Sequence, residues 1–233
     1  MLVLISTIGL VVGALIDWLA DYAPRLASSV ESSTLEDWRW PNLNLWQLVT
    51  GEAPGLHPAW QGALLELVWA TLASTLWIRF GLSWRFTAAA LASAFLTLIA
   101  VTDTRYRIIP NGLIYPALAL TLLLPLIRPN RSLVLTLAGG AMGLIPFLGV
   151  ALVKPGGMGG GDIKLATLIG LMVGFPQVVW ALSLAILAGA LTAGALLLND
   201  RWTLRSHIPY APFLCCGAIT TLLYPLSLEL PLR

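Results

Sequence analysis

Charge is scarce in this chain of 233 residues: Asp, Glu, Lys and Arg make up 10% of it, against 58% hydrophobic residues. An ordinary soluble domain carries about 25% charged residues, so the balance excludes one. A bilayer core about 30 Å thick takes roughly 20 apolar residues per helix, which leaves room for about seven or eight spans and no large soluble domain. Cysteine is scarcer still. Cys215 and Cys216 are adjacent in an apolar run, which gives neither a disulfide framework nor metal-ligand spacing. They read as small packed or lipid-facing residues. The formal net charge is only +2, with the basic residues scattered through short loops, and this sets nucleic-acid binding aside. Residues 1–19 lack a basic segment ahead of their apolar run, so they read as a first transmembrane helix rather than a cleaved signal peptide.

What is present is a series of apolar runs at 2–19, 60–80, 86–102, 112–127, 132–153, 164–176, 178–198 and 211–228. These predict an all-α, polytopic membrane protein with about eight transmembrane helices. The sixth run is short and follows a glycine-rich turn, the pattern of a helix that begins inside the membrane beside a wet cavity. Alternate loops carry Arg25, Arg39, Arg105, Arg107, Lys154, Lys164, Arg201 and Arg205 on one side, and Arg79, Arg85, Arg128, Arg131 and Arg233 on the other. The excess places the first set in the cytoplasm and both termini outside. The polar stretch 20–58, with Trp38-Arg39-Trp40-Pro41 at its centre, reads as a cytoplasmic loop with tryptophans at headgroup level. The expected organisation is therefore 1–58, first helix plus loop, followed by 59–233.

Carboxylates at a bilayer cost about 2.5 to 3.5 kcal/mol at a helix centre, so each asks for a reason. Asp103 ends an apolar run and opens Asp103-Thr104-Arg105-Tyr106-Arg107-Ile108-Ile109-Pro110-Asn111. Alone it reads as a helix-end residue paired with Arg105 or Arg107. Pro110 then suits the first turn of the next helix, where a missing N–H costs nothing. Asp162 follows five glycines in Lys154-Pro155-Gly156-Gly157-Met158-Gly159-Gly160-Gly161-Asp162-Ile163-Lys164. Those glycines permit a sharp bend and close approach of another segment; the plainer alternative is a flexible loop with Asp162 as a helix N-cap. A phosphate loop is excluded, since no Gly-Lys-Ser/Thr follows. Two apolar runs separated by Arg128-Pro129-Asn130-Arg131 lie between Asp103 and Asp162, so two crossings return the chain to the same face. Two carboxylates brought together cannot both ionise cheaply; one keeps a proton while the other acts as a base. That is the arrangement of an aspartyl protease, which needs no metal.

The Asp103 segment ending in Ile109-Pro110-Asn111, the Gly159-Gly160-Gly161-Asp162-Ile163-Lys164 segment and His207-Ile208-Pro209-Tyr210-Ala211-Pro212-Phe213-Leu214 together resemble the type IV prepilin peptidases. These are intramembrane aspartyl proteases of the Gly-x-Gly-Asp type. The resemblance spans most of residues 60–228 and implies that Asp103 and Asp162 are the catalytic pair, with Gly159, Gly160, Gly161, Lys164, Pro110, Asn111 and Pro209 supporting the substrate site or its loops. It implies a prepilin or pseudopilin precursor as substrate, cut at the cytoplasmic face of the cytoplasmic membrane after a glycine. Gly9-Leu10-Val11-Val12-Gly13 with Pro24-Arg25-Leu26 is similar to the family's first helix, although Asp17 stands where apolar or small residues are usual. Leu64-Leu65-Glu66-Leu67 resembles its glutamate-bearing segment, with Glu66 either a methyl-transfer residue or an interfacial carboxylate.

Two departures matter. Bifunctional members carry a repeated Cys-x-x-Cys zinc site between the first two helices and methylate the new amino terminus with S-adenosylmethionine; residues 20–58 contain no cysteine. Zinc is excluded there by ligand count, and S-adenosylmethionine as a cofactor loses that support, so the region 1–58 reads as a reduced methyltransferase-like part. The second departure is Ala211, where the family tends to have glycine. Lys164 and the loop arginines are expected to anchor the chain in the headgroups by snorkelling. The rival reading is an ion or proton transporter using paired intramembrane carboxylates. It predicts acids strung along a through-going path, whereas these two sit at one face.

Overall fold

The computed structural model describes residues 1–31, 59–127, 131–154, 158–197 and 209–225, and among them it contains helices and no strand. The loop expected at 20–58 lies mostly outside the described residues, as do His207 and Ile208. Eight helices follow in order: α1 (Leu2–Glu31), α2 (Ala59–Phe80), α3 (Trp84–Tyr106), α4 (Asn111–Ile127), α5 (Leu133–Val153), α6 (Gly160–Val173), α7 (Gln177–Leu197) and α8 (Ala211–Leu223). Each matches one expected apolar run. Five are long and apolar enough to cross a membrane, within α1, α2, α3, α5 and α7; α4, α6 and α8 are shorter, at 17, 14 and 13 residues.

Several ends differ from expectation. α1 continues to Glu31 rather than stopping at 19. α6 starts at Gly160, four residues before the expected 164, because glycine is as acceptable as a polar residue at a helix start. Gly159 is its N-cap, so the alternative that made Asp162 the cap is wrong; Asp162 stands three residues further, in the first turn. Pro110 precedes α4 rather than opening it. Its carbonyl accepts the N–H groups of Leu113 at 3.1 Å and Ile114 at 3.2 Å, the bonding of a cap. Pro116 and Pro125 inside α4, and Pro146 inside α5, are kinks that membrane helices tolerate where neighbours satisfy the freed carbonyls.

The chain forms two compact units, Met1–Thr102 and Asp103–Arg233. In the first, α1 and α2 run antiparallel along small residues. A Cβ at Gly9 would meet Trp69 and Ala70 backbone at 2.7–2.8 Å, one at Gly13 would meet the Glu66 Cα at 2.6 Å, and one at Gly62 would meet the Asp17 carboxylate at 3.2 Å. Ser6 and Ser74 share a hydroxyl–hydroxyl hydrogen bond of 2.9 Å on the same seam. Glycine at 9 and 13 is thus fixed by backbone approach, the usual basis of helix pairing in lipid.

In the second unit the closest pair is α5 with α6. Gly139 opposes Gly170, each against the other's carbonyl, and Gly143 opposes the Ala166 carbonyl. α6 buries Leu165, Ala166, Leu168, Ile169, Gly170 and Leu171. Both contact pairs sum to 309, so the antiparallel register puts Asp162 level with Phe147. α7 and α8 meet where Gly217 faces the Ala181 carbonyl.

Candidate active site

Between Glu66 and Asp200 the chain has two acids only, Asp103 and Asp162, and both belong to the second unit. Asp103 lies in the last turn of α3 and is 7% exposed. That helix ends at Tyr106 and is followed by Arg107, whose φ of 54° is the left-handed conformation and whose N–H donates to the Asp103 carbonyl at 2.8 Å. Such a cap is normally glycine, and a side chain there costs about 1–2 kcal/mol. The turn carries the chain through Ile109, which lands on the second aspartate's loop: a Cβ at Gly161 would meet the Ile109 side chain at 3.1–3.3 Å. Bare Gly161 is what lets the two aspartate-bearing segments approach.

The Asp103 carboxylate accepts a hydrogen bond from the Ala211 N–H and feels the Arg107 charge. Ala211 is the first residue of α8, so a helix N-terminus, with its free N–H groups and positive dipole end, faces the acid. The other oxygen, Oδ2, is buried with no partner among the described residues, and a carboxylate oxygen in that state has capacity for another donor.

Asp162 occupies the third position of α6, a 14-residue helix not among those long enough to cross. Its carboxylate folds back over the helix start and accepts the Gly159 N–H, the acid's half of a capping box. A Cβ at 159 would meet the Asp162 Oδ2 at 3.1 Å, so glycine leaves that path open. Burial pushes the Asp162 carboxyl up to about 6, the negative charge of Asp103 pushes the same way, and the Gly159 N–H opposes both. The two acids therefore act on each other. A pair of this kind holds one proton near neutrality, with apparent pKa values that belong to the pair.

Tyr210, immediately before α8, completes the surroundings. Burial first, and then the Asp162 charge, raise its phenol above the ordinary value. Its ring lies 6.0 Å from Phe147 and 6.3 Å from Phe213. Pro209 stands beside it at the approach to α8.

The remaining expected residues separate into two groups. Lys164 donates to the Asn111 Oδ1 at 2.8 Å and sits 4.9 Å over the Tyr115 ring, tying α6 to the start of α4 just after Pro110; this is a specific bond rather than free snorkelling. Gly160 has nothing within 4 Å of a Cβ position, so close approach does not explain it. Glu66 belongs to the first unit, with its Cα against Gly13. Among the described residues no group of three His, Cys, Asp or Glu could hold a metal ion. Sequence reasoning missed Ala211 as a donor and Tyr210 as a neighbour; Pro212, at the start of α8, was the available signal that an N-terminus with free N–H groups begins there.

The family model of the type IV leader peptidases matches residues 90–194, a segment that contains both aspartates, the Asn111 turn and the glycine loop. A prepilin leader peptidase/N-methyltransferase of Bacillus subtilis is 36% identical over 159 residues, 68% of this chain and 64% of that protein. The chain belongs to the type IV leader peptidase family. Proteins of the same description from Xanthomonas campestris and Stutzerimonas stutzeri are 27% and 26% identical over 185 and 166 residues, covering 75% and 69% of this chain and 64% and 57% of theirs. The chain thus spans somewhat under two thirds of the length of these relatives. No solved structure matches it. With its apolar helices, this leader peptidase homologue is a multi-pass membrane protein.

Proposed function

We propose that this protein is a membrane aspartyl endopeptidase that removes the leader from type IV prepilin or pseudopilin-like precursors, with Asp103 and Asp162 as its acid–base pair and its site open to the cytoplasm. The observation that carries the reading is the coupling of a buried Asp103 and a half-buried Asp162 inside one compact unit: Asp162 is pushed up to about 6, in part by the charge of Asp103. The relatives' description as prepilin leader peptidases supports the substrate class.

The pair works through a shared water. Its ionised carboxylate takes a proton as the water oxygen bonds to the scissile carbonyl carbon, and its protonated carboxyl donates to the carbonyl oxygen. The tetrahedral diol then collapses: one of its hydroxyls returns a proton to the pair's carboxylate as the C=O reforms, the C–N bond breaks, the amine nitrogen takes the proton held by the other carboxyl, and the starting protonation is restored. The Ala211 N–H holds the Asp103 carboxylate in place, and the Gly159 N–H does so for Asp162.

The relatives' printed name also includes N-methyltransferase. In this chain Glu66 is the residue the resemblance offers for it, and residues 20–58 have no cysteine to hold zinc. Our reading is cleavage without S-adenosylmethionine-dependent methylation. Co-expression with a prepilin, followed by mass measurement of the mature amino terminus, tests both parts. The expected product is cleaved and carries no added methyl group. Asp103→Asn and Asp162→Asn should each accumulate in the membrane and leave the precursor uncut, a loss of at least about 10²-fold; processing by both variants would sink the assignment.

A further inference from the structure

α6 is held at both ends, and the end away from Asp162 is held by a cation. Arg131, just ahead of α5, sends its Nη2 to the carbonyl of Leu171 at 2.8 Å and to that of Met172, and its Nε to the Thr136 Oγ1 at 3.4 Å. Thr136 is buried at 1% exposure and returns its own hydroxyl hydrogen to the Ser132 carbonyl at 3.1 Å. Those two carbonyls belong to the last turn of α6, where backbone oxygens have no partner within the helix and the dipole is negative. The following turn is tied to the same place: the Gly174 N–H closes on the Gly170 carbonyl at 2.9 Å, and the Phe175 N–H donates to the Leu135 carbonyl at 2.9 Å. The planar guanidinium serves two carbonyls through Nη2 and a buried hydroxyl through Nε, a fixed spread of donors that a lysine ammonium does not match.

Along its length α6 touches α5 through Gly139, Gly143, Ala166 and Gly170. The Leu171 side chain also packs over Gly140, but contacts that are mainly backbone against backbone resist separation of the helices more than sliding or turning. The Arg131 guanidinium supplies a hold against both, and from Met172 to Asp162 is ten residues, about 15 Å of helix. We propose that Arg131 is a positioning residue for Asp162: by gripping the far end of α6 it sets the depth and rotation at which that carboxylate meets Asp103. This rests on the aspartyl peptidase reading, and it differs from the headgroup-anchoring role that its loop position suggests.

The test uses the full chain with Cys215 and Cys216 replaced by alanine, and Arg131→Met and Arg131→Lys made in that background. With Asp103→Cys and Asp162→Cys added, a short bifunctional thiol reagent should join the two positions when Arg131 is present, less when it is lysine and least when it is methionine. In the variants that retain both aspartates, Arg131→Met should lower kcat about 10²-fold, the cost of a misplacement near 1 Å, with KM changed by less than about twofold. The alkaline limb of its pH–rate profile should move to lower pH, because Asp162 recedes from the Asp103 charge. The other groups acting there, the Gly159 N–H and Tyr210, are untouched by the change. Arg131→Lys should recover part of both. A merely structural residue would reduce the amount of active protein and leave the limb where it was. Unchanged cross-linking together with an unmoved limb overturns the proposal. If Arg131→Met does not accumulate, wild-type values for Arg131→Lys in both readouts overturn it. Absence of cleavage by the parent protein would instead count against the peptidase reading, while the cross-link still reports on Arg131.

Discussion

The α1–α2 pair and the α5–α6 pair are both closed by glycines, yet they treat polar groups differently. On the α1–α2 seam polar groups lie along the contact: Ser6 bonds Ser74, and Asp17 lies where a Gly62 side chain would go. On the α5–α6 seam the contact is mainly backbone against backbone through Gly139, Gly143, Ala166 and Gly170, with the Leu171 side chain over Gly140, and the charged groups stand at its two ends, Arg131 at one and Asp162 at the other. Glycine packing by itself is therefore a general means of joining membrane helices. In the second pair the glycine seam delivers a carboxylate at a fixed level, which is what the proposed site needs.

The contrast can be broken most forcefully in the seam itself. Gly170→Ala drives a methyl group into the Gly139 carbonyl; overpacking of this kind costs about 1–3 kcal/mol or more, and activity per molecule should fall along with thermal stability. Gly13→Ala, which meets the Glu66 backbone at 2.6 Å, should also lower stability, but the surviving protein should cleave at the normal rate. Equal losses of specific activity in the two would erase the distinction.

A smaller effect is expected from Ala211→Pro. It removes the N–H that reaches Asp103 while leaving a residue type that helix starts accept. Steady-state kinetics should show kcat reduced about tenfold, in line with one lost charge-assisted hydrogen bond, with little change in melting temperature. Loss of folding instead of rate would mean the donor is structural.

The pH dependence sharpens the same point. Asp162 has a folded value near 6 against an ordinary 3.8, so between those values the folded protein binds more protons than the unfolded chain, and its stability falls as pH rises through that window. Activity that needs one shared proton should decline on the alkaline side of about 6, and Gly13→Ala should leave that limb unmoved. A rate still climbing well above pH 8 would contradict a proton held by this pair. The smallest effect should come from Lys164→Gln. Its bond to Asn111 is exposed and worth about 0.5–1.5 kcal/mol, so kcat/KM should change by no more than about tenfold; inactivation would promote Lys164 into the site.

Most of the fold was legible because apolar run length is a direct consequence of bilayer thickness, and all eight runs became helices. The start of α6 was misread because Gly159, Gly160 and Gly161 look like breakers in sequence, whereas Gly161 is spent on the approach of Ile109. Both aspartates stand out in the sequence as isolated acids beside apolar runs, and the structure couples them through the effect of the Asp103 charge on Asp162. The Ala211 N–H does not stand out, since a backbone donor has no letter of its own. Arg131 was sorted by side of the membrane, a count that is blind to the carbonyls of a helix forty residues later in the chain.

The register of α5 against α6 also fixes how deep Asp162 lies along its partner helix. Asp162 is level with Phe147, yet α5 runs on through six more residues to Val153, with Leu152 and Val153 73% and 87% exposed. That overhang is about 9 Å of helix, the span of roughly three extended residues. The depth of the acid below the Lys154 end of its partner helix is therefore set by glycine contacts about one and two turns further along α6, at Ala166 and Gly170.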